Sequence, residues 1–198
     1  MTLSKNPENV FGWLDEIQQR PGMYLGDTSR PLEDLQCLVH GYTAALCVHG
    51  VVENVPSMAH FSTWLRHKTG WSTSRGWAHA LANHAKQDST LATFFSLVAE
   101  FRELVPTTLT AVLLSELNQP TGKRAKIGFD SRIPRPDKVD VVRYVPEPIH
   151  FLRFHYGPRL LDQHTLYTSE GSDSTTVEVA KEWVHDEFSV KPSDWPAP

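Results

Sequence analysis

At 198 residues, 40% hydrophobic and 21% charged, the chain carries enough apolar material for one large domain, or one domain with an appended lobe, which argues against a disordered chain. A net charge of −4 argues against a protein that coats nucleic acid through overall basicity. The longest uncharged stretch, Leu35 to Val52, is broken by Gln36, His40, Gly41, Thr43 and His49, so it falls short of the roughly 20 mostly apolar residues of a membrane span.

The opening Met1 to Pro7 lacks the apolar core of a signal peptide, and a cytoplasmic location is expected. Asn6, Pro7 and Glu8 form a helix start, with Asn6 as cap, and Val10, Trp13, Leu14 and Ile17 recur at helical spacing. A first helix over about residues 7 to 19 follows, stopped by Pro21-Gly22, after which Met23, Tyr24 and Leu25 are expected to pack and Gly26 to turn the backbone. Ser29-Arg30-Pro31 starts a second helix, largely buried, running through Leu32, Leu35, Leu38, Val39, Tyr42 and Leu46 to Gly50.

Phe61, Trp64 and Leu65 predict a third helix closed by Gly70, and Trp77 and Leu81 a fourth. Ser89 caps a fifth over 89–104, where Leu91, Phe94, Phe95, Val98 and Phe101 form an apolar stripe. Pro106 ends it, and Leu109 to Leu117 are read as one more helix. After Asn118 prolines and glycines mark loops, then Val139 to Val145, Ile149 to Tyr156 and Leu160 to Tyr167 predict strands, with a Gly157-Pro158 turn. Thr175 and Glu178 have capping-box spacing at the head of a final helix through Phe188, and Val177, Ala180, Val184 and Phe188 are available to pack on the sheet. Trp195 is expected to tuck down. The fold class is therefore α+β: an N-terminal helical bundle (1–118) followed by a small antiparallel sheet and a C-terminal helix (119–198).

Residues able to carry chemistry are scattered. His79 and His84, His60 and His67, and His150 and His155 miss the spacing that sets two imidazoles on one helical face, so no metal site is expected. Cys37 and Cys47, ten residues apart on one helix, stand about 15 Å apart, beyond disulfide reach; both are read as free, half-buried thiols. His185 and Asp186 are adjacent on the last helix and point about 100° apart, so they do not form a dyad. Neither a nucleophile elbow nor a glycine-rich phosphate cradle is found.

Two charged stretches stand out. Lys123, Arg124, Lys126, Arg132, Arg135, Lys138 and Arg143 concentrate basic charge, with Phe129 and Tyr144 as stacking groups, and frame an alternative nucleic-acid-associated or regulatory role. From Glu170 the balance is acidic; Glu178, Glu182, Asp186 and Glu187 are either a docking face for a basic partner or a solvated helix face.

The segment Leu14 to Asp27, with Arg20-Pro21-Gly22-Met23-Tyr24-Leu25-Gly26 at its heart, resembles the stretch near the N-terminus of the ATPase subunit of DNA gyrase and topoisomerase IV, in the GHKL ATPase superfamily. The likeness extends to Gly50, about a fifth of the chain. In those enzymes the next helix carries a carboxylate general base and an asparagine magnesium ligand, and with Gly50 as a shared end these positions fall on Leu38 and Tyr42. Neither side chain can polarise water or replace an amide oxygen on magnesium, and no nucleotide cofactor is expected.

Arg20 to Gly26, then Phe61, Trp64 and Leu65, then an aromatic helix with Phe94-Phe95 and Glu100-Phe101, is also similar to a set of small uncharacterised bacterial proteins, some of them neighbours of secreted or polymorphic toxins. That resemblance covers about the first half and implies an immunity protein, or antitoxin: a cytoplasmic, non-enzymatic binder of a cognate toxin. Glu178, Glu182, Asp186 and Glu187 are the expected contact residues, and Arg20, Pro21, Gly22, Met23, Tyr24 and Gly26 a structural motif.

Overall fold

The computed structural model describes residues 8–26, 29–49, 51, 53, 55–85, 90–124, 126–127, 131–132, 134–147, 149–156, 159–165 and 176–196. It is an α+β chain of two compact units, one comprising residues 1–46 and 53–104 and the other residues 47–52 and 105–198.

The first unit opens with α1, Val10–Gln19. Its cap is Asn9, whose side-chain oxygen accepts the N–H groups of Phe11 and Gly12 at 3.0 and 3.2 Å; Asn6, the expected cap, lies outside the described residues. Arg20 leaves helical geometry at φ −137°, and Pro21 opens a one-turn helix, α2, Pro21–Tyr24. Proline thus both stops one helix and starts another, since it cannot donate to a preceding turn yet suits a first position. Gly26 turns the chain at φ +62°. Of the three residues expected to pack here only Leu25 is buried; Met23 is 73% exposed, because a single helical turn cannot point all its side chains one way.

The next helix, α3, Pro31–His49, buries among its described side chains only the stripe Leu32, Leu35 and Val39. The expectation of a largely buried helix is thereby corrected: Val48 is exposed, and so is Cys37. A short 3-10 turn, Met58–His60, leads into α4, Phe61–Thr69, closed by Gly70 at φ +73°. Then come α5, Trp77–His84, and α6, Thr90–Phe101; Ser89 lies outside the described residues.

Phe61 is the hub of this unit. Its ring meets Trp64, Trp77, Phe94 and Phe101 at centroid separations of 5.3 to 5.8 Å, three of the four edge-on. All five side chains are at most 1% exposed. Burial of each contributes on the order of 1.5–3 kcal/mol, and edge-to-face geometry adds about 0.5–1.5 kcal/mol per pair.

The second unit is built on a four-stranded antiparallel sheet: β1, Val105–Leu113; β4, Lys138–Val145; β5, His150–Tyr156; and β6, Arg159–Thr165, in the order β1-β4-β5-β6. A two-residue ribbon, β2 (Lys126–Ile127) with β3 (Ser131–Arg132), lies between β1 and β4 in sequence. β1 replaces the helix expected over Leu109 to Leu117, and it opens the longer segment, Val105–Pro198, of the second unit. Thr107, Thr108 and Thr110 are β-branched and favour a strand, and β1 pairs along one side with β4 from Val105↔Val145 to Leu113↔Lys138. The Gly157-Pro158 turn lies outside the described residues.

One face of the sheet carries Val112, Val139, Val141, Leu152 and Phe154. Against it packs α7, Val177–Phe188, through Ala180, Trp183, Val184 and Phe188. The cap of α7 is Thr176, which accepts the N–H of Val179 at 3.3 Å; Thr175 lies outside the described residues. Val190 and Trp195, from the segment after α7, close the end of this core.

Candidate functional site

The helical wheel of α7 decides which acids can meet a partner. Ala180, Val184, Glu187 and Phe188 follow the i, i+4, i+7, i+8 stripe, and all are buried, Glu187 included. Glu178 and Glu182, one turn apart, fall on the opposite side and are exposed. Together they border a cleft of about 320 Å³, whose lining also includes Val190, Pro192 and Trp195. Lys181 lies in the same cleft with Nζ 5.5 Å from the Trp195 ring centroid, a cation–π arrangement that holds the lysine stem along the indole. His185 completes it, its Nδ1–H donating to the Val190 carbonyl at 2.8 Å. This bond ties the segment after α7 back to the helix and gives the cleft a fixed wall.

Asp186 and Glu187 have other work. Asp186 accepts from Arg124 Nε at 2.8 Å and pairs with Arg124 Nη2 at 2.5 Å. The two oxygens of Glu187 accept the backbone N–H groups of Gly122 and Arg124 at 2.9 and 2.7 Å. Thr121 adds N–H to the Glu187 carbonyl at 2.7 Å and its hydroxyl to the Asp186 carbonyl at 2.8 Å. The last turn of α7 therefore anchors the 121–124 loop, and of the four expected contact residues only Glu178 and Glu182 remain presented without a described partner. His185 and Asp186, neighbours in sequence, serve different partners.

Three residues of the basic stretch are committed within their own unit. Arg124 is held by Asp186, Arg135 donates to the carbonyls of Leu114 and Ser115 at 3.1 and 3.2 Å, and Lys138 pairs with Asp140. Tyr144 is 1% exposed, which removes it as a stacking group for a base; Phe129 lies outside the described residues.

Spacing in sequence gave no hint of a charged cluster on the sheet face opposite α7. Asp140 alternates with Val139 and Val141 and so projects away from the α7 core. His155 Nε2 stands 2.8 Å from one of its oxygens and Lys138 Nζ 2.8 Å from the other. Burial opposes ionisation of Asp140, yet the bonds from His155 and Lys138 outweigh it and hold the carboxyl below its ordinary range. Alternation placed Lys138 and Asp140 on one face; only the Lys138↔His155 register adds the imidazole. Among the described residues no group of three His, Cys, Asp or Glu side chains is arranged to hold a metal.

In the first unit the Arg20 to Gly26 motif borders an open groove of about 680 Å³, lined by Trp13, Tyr24, Asp34, Cys37, Leu38 and Tyr42 among others. Of the motif residues only Tyr24 and Leu25 reach it; Pro21 and Gly26 shape the backbone. Trp13 and Tyr42 stack at 5.2 Å with planes 13° apart. The Tyr42 hydroxyl donates a short bond to Glu53 Oε1, which also accepts the N–H of Val10 at 2.9 Å. Tyr24 donates to Glu16 at 3.0 Å. Burial first, then the Glu53 bond, pushes the Tyr42 phenol well above its ordinary pKa; for Tyr24 the bond to Glu16 is the leading cause of a rise. Leu38 and Tyr42 both line this groove.

Fold and site together define an α+β protein with an acidic-edged apolar cleft on one unit and an aromatic groove on the other. Comparison with protein-family models, curated proteins and solved structures gives no match. No helix among the described residues is long and apolar enough to cross a membrane.

Proposed function

We propose that this chain is an immunity protein: it binds a cognate bacterial toxin in the cytoplasm and blocks it by occupying its surface, without catalysis. The observation that carries the reading is the α7 cleft, where Glu178 and Glu182 stand exposed beside Val190, Pro192 and Trp195. Carboxylates at the edge speed encounter with a basic partner, and an apolar cleft is the kind of pocket into which a partner's anchoring side chain fits. The resemblance of the first half to toxin-associated proteins points the same way.

The test is co-expression with the secreted-toxin reading frame expected next to this gene. Growth is restored by the wild-type chain and a complex elutes as one peak on gel filtration; Glu178→Lys with Glu182→Lys loses both while the chain stays folded. A neighbouring toxin that kills equally with and without this chain ends the proposal.

A further inference from the structure

We propose that the groove beside the Arg20 to Gly26 motif binds an alkylated ammonium group, the trimethylammonium head of a small molecule or of a methylated lysine side chain. The site belongs to the first unit and does not depend on the toxin reading.

Three aromatic rings, Trp13, Tyr24 and Tyr42, line one groove together with the carboxylate of Asp34, and none of its lining residues is Lys or Arg. A ring face carries negative charge density and attracts a cation; Trp13 and Tyr42, stacked on each other, can offer a ligand only one outer face between them, and Tyr24 adds a second ring to the lining. The wall is preset: Trp13 and Tyr42 are stacked, and Tyr42 is tied to Glu53 and Tyr24 to Glu16. Because both phenolic protons are already donated, an incoming ligand meets aromatic ring rather than hydroxyl donors. That favours a cation with no N–H groups to satisfy over a strongly hydrated primary amine, for which Asp34 is the sole carboxylate in the lining.

The volume, about 680 Å³, falls in the range of roughly 300–1,000 Å³ found for small-molecule sites. Gly41 also lines the groove, and a Cβ built there meets nothing within 4 Å. The space over α3 at this position is open, and a larger side chain at residue 41 would fill it without displacing the fold.

The experiment is calorimetric titration of the full chain with choline, with its neutral carbon isostere dimethylbutanol, and with a short peptide carrying one trimethyllysine. Saturable binding of choline or the peptide is expected, with the isostere at least about fivefold weaker because the ring attraction acts on charge. Asp34→Asn should weaken binding roughly two- to fivefold, of the size expected for one exposed charge. Gly41→Leu should abolish it while circular dichroism stays unchanged. Tighter binding of choline than of the peptide assigns the site to a small molecule, and the reverse order to a methylated protein. Equal binding of the isostere, undiminished binding by Gly41→Leu, or no saturable binding of either cation overturns the proposal.

Discussion

Glu187 Oε2 accepts the backbone N–H of Arg124 at 2.7 Å, so an acid in the last turn of α7 holds a loop 63 residues earlier in the chain. Its other oxygen does the same for Gly122. Removing the carboxylate leaves two backbone donors without their acceptor, and hydrogen bonds to charged groups are worth about 1.5–3 kcal/mol each. Glu187→Ala should therefore lower stability by about 3–6 kcal/mol in urea unfolding. Glu178→Ala and Glu182→Ala, on the solvent side, should shift it by less than about 0.5 kcal/mol. Comparable losses at all three positions would contradict the division of α7 into an anchoring and a presenting side.

Gln36 Oε1 accepts the N–H of Ala78 at 2.9 Å, so α3 supplies the cap that the first turn of α5 lacks in its own sequence. Gly76 makes this possible. Its φ is +93°, and a Cβ there would stand 2.5 Å from Gln36 Oε1. Gly76→Ala should cost about 1–3 kcal/mol, and Gln36→Ala about 1 kcal/mol, both read from thermal unfolding. A double variant much less destabilised than the sum would show the coupling.

Asp140 makes part of the sheet's stability depend on acid pH. Its carboxyl is held below the ordinary 3.8 in the folded chain, so on acidification the unfolded chain takes up the proton first. The contribution is complete above that ordinary value and is lost as the pH falls from it through the lower folded one. Melts of wild type and Asp140→Asn recorded from neutral to acid pH should converge at the acid end. A difference that stays constant across that range would refute the assignment.

Tyr42 should be among the last phenols to ionise. The unfolded group loses its proton near 10.0, and the folded one well above it. Stability from keeping it neutral is therefore full below pH 10 and is lost as pH rises through the folded value. Phenolate absorbance should show a late-titrating component that shrinks by one tyrosine in Tyr42→Phe, and that substitution should cost about 0.5–1.5 kcal/mol.

Much of the fold was legible where one local period dominates. Phe61, Trp64 and Leu65 with Gly70 after them marked α4, and the alternation from Val139 and from Ile149 marked β4 and β5. It failed at β1, where Ala111 to Leu114 is an apolar run that fits either period and the deciding partner, β4, lies about 25 residues further on. Of the site, Glu178 and Glu182 could be read as an exposed pair. Glu187 was misplaced by its charge, although its position seven residues after Ala180 set it on the buried stripe; a carboxylate is expected at the surface unless it has backbone donors to satisfy. The grouping of Asp140 with His155 needs a strand register, and the grouping of Trp13 with Tyr42 needs a helix packing, neither of which is written locally.

The margin of the sheet formed by β1 has one more consequence. Val105, Leu109 and Leu113 are 59, 39 and 78% exposed along a nine-residue outer strand, a surface on which a second chain could extend the sheet without limit. Pro106 offers no amide hydrogen there, and Leu109 is the extra residue at which the pairing with β4 slips between Thr108 and Thr110. An incoming strand would meet a missing donor and a kink within four residues of each other. Proline and bulge thus blunt this one border against the addition of another strand.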